Sequence, residues 1–160
     1  MHSYNKITKA KARVTINIVN KAKRDYLVAK AEKALGNEWY GWKANIDGFC
    51  MQIFTNSSHL YDFWIENWFS MSRAIRSHGR IYAVLDPDFN NGESYAFYNS
   101  ETKTAIIFNT EYYGQVKSWA LGITCDIAED QHDIHSIHGS CIEVNGDGIV
   151  LIAPTGTGKS

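Results

Sequence analysis

The chain has 160 residues, of which 44% are hydrophobic and 21% charged, with a formal net charge of −1. That balance suits a soluble globular protein and is enough for one domain with a real core, or for one domain and the start of a second. No apolar run approaches the roughly 20 residues that span a bilayer, and the polar, basic N-terminus lacks the apolar stretch of a secretory leader. Cys50, Cys125 and Cys141 are far apart and have no CxxC spacing, which argues against a disulfide or zinc framework. A cytoplasmic protein with reduced thiols and no membrane partner is therefore expected.

Residues 1–33 hold nine Lys/Arg against Asp25 and Glu32, a net of +7, so the remainder carries −8. A basic arm can touch nucleic acid or an anionic surface, and it alone supports reading the chain as an ATP-gated nucleic-acid-binding or regulatory module. A solvated helix face accounts for the same lysines, and nucleic acid is not the expected partner.

Val14, Ile16 and Ile18 alternate with Thr15 and Asn17, which predicts a short strand. Asn20 is a natural N-cap for a helix running to Leu35, and Gly36 is its stop. Residues 48–55 read as a strand. Residues 58–69 set Leu60, Phe63, Trp64 and Trp68 near helical spacing, predicting an amphipathic helix whose aromatics pack in the core. Near residue 80 the pattern changes. Segments 80–85, 94–98 and 103–108 are short and rich in β-formers. Asp86-Pro87-Asp88, Asn90-Asn91-Gly92 and Asn99-Ser100-Glu101 separate them as turns, predicting a β-meander. Residues 111–128 read as a helix with Val116, Ala120 and Ile123 on one face. Strands follow at 140–144 and 149–153, joined by the hairpin punctuation Asn145-Gly146-Asp147-Gly148.

Residues 153–160 read A-P-T-G-T-G-K-S. This is the phosphate-loop pattern G-x-x-x-x-G-K-[ST] with Ala153 in place of the first glycine. Gly156 and Gly158 let the backbone curl so that several N–H groups point into one concavity suited to phosphate oxygens. Lys159 can reach the β- and γ-phosphates, and the Ser160 hydroxyl can ligate Mg²⁺. An apolar strand runs directly into the loop, as the motif requires. A phosphate loop also relies on a helix that starts at its lysine and aims its dipole at the phosphates. The sequence stops at Ser160, which gives the expectation of an N-terminal piece of a longer protein, inactive and a poor binder of ATP by itself.

His132, His135 and His138 are spaced H-x2-H-x2-H beside Asp126, Glu129, Asp130 and Asp133. On a strand, His132 and His138 would share one face and His135 the other, so a three-histidine metal site is disfavoured. An exposed polar loop accounts for His132 and His135. His138 differs, because it heads the strand that leads into the hairpin.

Three ordered motifs carry a resemblance. N-T-E-Y-Y-G-Q-V-K-S (109–118), I-H-G-S (137–140) and G-D-G-I-V-L-I-A-P-T-G-T-G-K-S (146–160) resemble ATP-dependent phosphoenolpyruvate carboxykinase. That family shows G-T-x-Y-A-G-E-M-K-K, M-H-C-S-A-N and G-D-V-A-L-F-F-G-L-S-G-T-G-K-T at nearly the same intervals. The likeness covers roughly residues 60–160. HPr kinase shares the short H-G segment and the loop but not the tyrosine motif. The resemblance implies that Tyr112 lies near bound phosphoenolpyruvate, that Lys117 is the first of the family's lysine pair, that His138 ligates the catalytic Mn²⁺, and that Thr155 to Ser160 bind ATP and its Mg²⁺.

Two departures stand out. The family's second lysine, a Mn²⁺ ligand, is Ser118 here, and the upstream G-R-S-P segment has no counterpart in residues 1–60; Arg73, Arg76 and Arg80 are the available arginines. The expected fold is α/β: an N-terminal α/β domain with a mixed sheet over residues 1–135, leading into the first strands of a phosphate-loop nucleotide-binding domain over 136–160. The expected function is a carboxykinase-like phosphotransferase acting on oxaloacetate and ATP, with Lys159 and Lys117 as catalytic groups. The alternative is an HPr-kinase-like enzyme acting on a protein or small-molecule hydroxyl.

Overall fold

The computed structural model describes residues 16–137 and 139–153. Within them the chain is α/β, with a mixed seven-stranded sheet, three α-helices and a separate two-stranded hairpin. The elements in order are β1 (Ile16–Ile18), α1 (Lys21–Leu35), β2 (Tyr40–Ile46), β3 (Phe49–Thr55), α2 (Ser58–Asn67), β4 (Phe69–Ser70), β5 (Gly79–Val84), β6 (Tyr95–Asn99), β7 (Thr104–Phe108), α3 (Tyr113–His132), β8 (Ser140–Val144) and β9 (Asp147–Leu151). The first predicted strand is present at Ile16–Ile18; Val14 lies outside the described residues.

Helix α1 starts and stops where its caps dictate. The Asn20 side chain accepts a hydrogen bond from the Lys23 N–H at 2.9 Å, and Gly36 ends the helix with φ 61°, a value that costs glycine little. Ser57 caps α2 in the same way, accepting from the Leu60 N–H. Helix α3 extends past its predicted end at residue 128 to His132, where Asp133 takes the left-handed conformation. His132 therefore belongs to a helical turn and not to a loop.

Strand β2 has no counterpart in the sequence reading. Its pairing with β3 places Ile46 opposite Phe49, leaving a two-residue turn at Asp47 (φ 51°) and Gly48 (φ 85°). The alternation of Tyr40, Trp42, Ala44 and Ile46 followed by Asp-Gly is the signal that marks such a hairpin.

The expected meander does not form. Strand β5 pairs with β7, in parallel, and β6 pairs antiparallel with the far side of β7 and parallel with β1. The sheet order is β1-β6-β7-β5-β3-β2-β4. The physical reason is burial. All five residues of β7 are buried, so Ala105-Ile106-Ile107-Phe108 needs strands on both sides and helices on both faces, which a meander edge cannot supply.

Three layers result. On one face Leu27, Ala31 and Leu35 of α1 pack against Tyr82, Val84, Ile106 and Phe108. On the other, Leu60 and Trp64 of α2 and Val116, Ala120, Ile123 and Ile127 of α3 cover Ile53, Ile81, Ala83, Ala105 and Ile107. The helix-face residues Val116, Ala120 and Ile123 are buried as their spacing requires.

Strands β8 and β9 pair only with each other in their sheet, with Val144 opposite Asp147. The turn uses Asn145 (φ 56°) and Gly146 (φ 89°) alone, so β9 begins two residues earlier than the expected 149. Ile142, Val144, Ile149 and Leu151 of this hairpin are exposed.

Candidate functional site

The parallel strands β3, β5 and β7 end on one edge of the sheet, and the polar residues that follow them interlock there. In open α/β sheets this carboxyl edge is where ligands bind, because loops and helix N-termini converge on it. After β3, the Asn56 side chain donates to the carbonyls of Ala34 and Leu85 and accepts from the Leu85 N–H. It thereby ties the end of α1 to the exit of β5. Next to it, the Ser57 hydroxyl donates to Glu111 Oε1 at 2.8 Å. After β7, Asn109 Oδ1 accepts from the Asp86 N–H at 2.7 Å, and its Nδ2 donates to the Phe89 and Glu93 carbonyls at 3.3 and 3.1 Å.

Tyr112 stands on this edge as the N-cap residue of α3. Its ring lies against Gly114, where a Cβ would come within 2.6 Å of the ring, so only glycine lets the ring rest there. Tyr113 beside it is buried and stacked on Phe63 at 5.4 Å, and burial pushes its hydroxyl above the ordinary tyrosine value. Of the tyrosine pair, Tyr112 is therefore the one a ligand can reach. Lys117 is exposed further along α3, with its Nζ 5.9 Å from the centre of the Trp68 ring.

Helix α3 runs away from this edge. At its far end His132 meets Phe49, the first residue of β3, with ring centres 5.4 Å apart. Arg80 is near the start of β5 and Arg73 and Arg76 precede that strand, so these arginines belong to the amino-terminal side of the parallel strands, away from Tyr112. Strand β5 alone separates the two sides by about 17 Å. His135 is exposed, 3.4 Å from Glu129 and 3.8 Å from Asp133. No group of three or more potential metal ligands occurs among the described residues. His138 lies outside them, as do Thr155, Gly156, Thr157, Gly158, Lys159 and Ser160.

The Mn²⁺ implied by the carboxykinase resemblance can be tested at Ser118. Its hydroxyl donates to the Gly114 carbonyl at 2.8 Å, one turn back on the same helix. A neutral hydroxyl committed to the helix backbone does not replace a deprotonated lysine amine, so this position does not fit a Mn²⁺ ligand.

A cleft of about 650 Å³ opens between α1 and the segment after β5. Lys23, Tyr26, Lys30 and Lys33 form one wall, and Asp86, Phe89 and Tyr95 form part of the other. The lysines were visible in the sequence as a basic stretch. Their aromatic and acidic partners lie some sixty residues downstream and meet them only through the fold.

At the amino-terminal side a second cluster forms. Lys103, buried before β7, is 2.9 Å from Asp126 and bonds Asp130, while the Tyr98 hydroxyl donates to Asp126. Burial lowers the Lys103 pKa, but the hydrogen bonds to Asp130 and Asp126 outweigh it and hold the ammonium above its ordinary value. Burial, then the bond to Asp126, raises the Tyr98 hydroxyl. Every member is paired within the group, which marks a structural clamp between the β6–β7 turn and α3. The cysteines at 50, 125 and 141 are all free. Among the described residues no helix is long and apolar enough to cross a membrane. No protein-family model matches the chain, and no curated protein matches it.

Proposed function

We propose that this chain carries the α/β portion and phosphate loop of an ATP-dependent phosphotransferase of the phosphoenolpyruvate carboxykinase type. The observation that carries the proposal is the ordered set of segments 109–118, 137–140 and 146–160, ending in A-P-T-G-T-G-K-S directly after β9. Tyr112 adds support, because it is the half-exposed member of its pair and caps a helix at the carboxyl edge.

In that reading oxaloacetate loses CO2 and the electron pair left behind forms an enolate. The enolate oxygen attacks the γ-phosphorus of ATP while the bond to the β-phosphate oxygen breaks, giving phosphoenolpyruvate and ADP. Lys159 and the backbone N–H groups of residues 156–160 hold the β- and γ-phosphates and stabilise the negative charge that shifts between them. Mg²⁺ held by the Ser160 hydroxyl would supply further positive charge to the same oxygens. Tyr112 contacts the three-carbon acid, and Lys117 offers a second cation.

The test uses the protein expressed from its complete reading frame. Lys159→Ala is expected to lower kcat for oxaloacetate-dependent ADP formation by about 10²–10³. A variant within about twofold of wild type removes the phosphate-loop assignment.

A second reading, an HPr-kinase-like enzyme transferring phosphate to a hydroxyl, is favoured by one observation, the replacement of the second lysine by the backbone-bonded Ser118. Mn²⁺ titration separates the two. If His138→Ala loses Mn²⁺ affinity while His132→Ala and His135→Ala keep it, the carboxykinase reading gains. If His138→Ala binds Mn²⁺ as wild type does, the kinase reading gains.

A further inference from the structure

We propose that the cleft between α1 and the β5–β6 connection is a second, metal-independent site for a small nucleoside phosphate, with a nucleoside diphosphate as its best occupant. Lys23, Tyr26, Lys30 and Lys33 step by three, four and three residues and so share one stripe of α1. This stripe borders the buried Leu27–Ala31–Leu35 stripe, which sets the ammonium groups beside the sheet at the mouth of the cleft. Among the described residues none of the three lysines is in an ion pair. Instead the Nζ atoms of Lys23 and Lys30 sit 5.0 and 5.7 Å from the centre of the Tyr26 ring. Three like charges gathered around one cleft repel one another, and a bound polyanion relieves that repulsion.

The spacing selects the anion. Seven residues separate Lys23 from Lys30 and ten separate it from Lys33, about 10 and 15 Å along the helix. A single carboxylate, with one negative charge, cannot balance three ammonium groups spread over this length of helix, whereas a diphosphate carries more charge and reaches two or more of the lysines. The opposite wall selects the rest of the ligand. Phe89 and Tyr95 meet edge to face at 6.4 Å, and Phe89 stacks on Phe108 at 3.9 Å, giving a fixed aromatic floor. Tyr26 is 52% exposed, and once phosphate draws a lysine off its ring the vacated face can take a planar ring. Asp86 and Asp88 repel phosphate but accept hydrogen bonds from sugar hydroxyls, so they turn the phosphates towards α1. The rim is preformed: Asn90, Asn91 and Gly92 all have positive φ, at 48°, 57° and 77°, and the Asn109 and Glu93 side chains hold that turn in place. A volume of about 650 Å³ is that of a small-ligand pocket. A single strand of nucleic acid would need an open track past the 86–94 segment, which here forms a wall.

The test keeps the two phosphate sites apart. The full chain carrying Lys159→Ala, which silences the phosphate loop, is titrated with ADP in EDTA and followed by amide NMR shifts. Saturable shifts are expected on α1 and residues 86–97, with adenosine and inorganic pyrophosphate each binding more weakly than ADP. Lys30→Glu, exposed on the helix and of similar helix propensity, is expected to weaken ADP by about tenfold or more while leaving the spectrum folded; Tyr26→Ala should weaken it as well. The proposal is overturned if shifts fall elsewhere, if Lys30→Glu binds ADP unchanged, if pyrophosphate binds as tightly as ADP, or if an oligothymidylate binds more tightly than ADP. Binding that needs Mg²⁺ and vanishes with Lys159→Ala alone would leave the phosphate loop standing and remove this site.

Discussion

Asn109 gives a quantitative test of how the carboxyl edge is held. Asn109 adopts φ 58°, and its side chain makes three hydrogen bonds that fix the 86–94 segment: one accepted from the Asp86 N–H at 2.7 Å and two donated to the Phe89 and Glu93 carbonyls. Substituting alanine removes all three and puts in left-handed backbone a residue that tolerates it less well than asparagine does. The accepted bond, partly buried and short at 2.7 Å, contributes about 1 kcal/mol; the two donated bonds are longer, at 3.3 and 3.1 Å, and contribute about 0.5 kcal/mol each. The backbone conformation adds about 1 kcal/mol. Asn109→Ala is therefore expected to destabilise by about 3 kcal/mol. Asn109→Gly, which tolerates positive φ, should cost about 2 kcal/mol. Asn109→Asp keeps the acceptor but turns a charged oxygen on the Phe89 and Glu93 carbonyls, so it should cost more than the two lost bonds alone, about 1 kcal/mol. Urea unfolding followed by tryptophan fluorescence measures the series; with a slope of about 2 kcal/mol per molar, the alanine variant should shift the midpoint by about 1.5 M. An alanine variant within about 1 kcal/mol of wild type, or indistinguishable from the glycine variant, would refute the assignment of both the bonds and the backbone cost.

Two further outcomes follow from the core and from the clamp. Lys103 and Tyr98 both have folded-state pKa values raised above their ordinary ones, so the stability they contribute is full below about pH 10 and is lost as pH rises beyond it; urea midpoints measured from pH 7 to 11 should fall at the alkaline end, and less steeply in Tyr98→Phe. Gly79→Ala should destabilise by about 1–3 kcal/mol, because a Cβ there would come within 2.6 Å of both Ile123 and Met51; a neutral result would show that these side chains move aside freely.

What the sequence determined by itself was local. The caps at Asn20 and Gly36, the helical stripes at Leu60/Trp64 and Val116/Ala120/Ile123, and the Asn145-Gly146 turn follow from interactions spanning a few residues, where side-chain chemistry and backbone preference decide the outcome. The hairpin of β2 and β3 was equally local, marked by Asp47-Gly48 and by alternation, and it shows that a strong two-residue turn outranks a weakly apolar strand as a signal. Strand order was different. Nothing near residues 80–108 says that β5 pairs with β7 and leaves β6 on the far side of it; that arrangement follows from covering the apolar run 105–108 on both faces and both edges, which depends on α1, α2 and α3 at once. The same holds for the lysine cleft. Lys23, Lys30 and Lys33 look like a solvated face along the chain, and only the layering of α1 on the sheet brings Asp86, Phe89 and Tyr95 opposite them, because burial of Leu27 and Ala31 fixes the rotation of the helix and hence which wall its charges face.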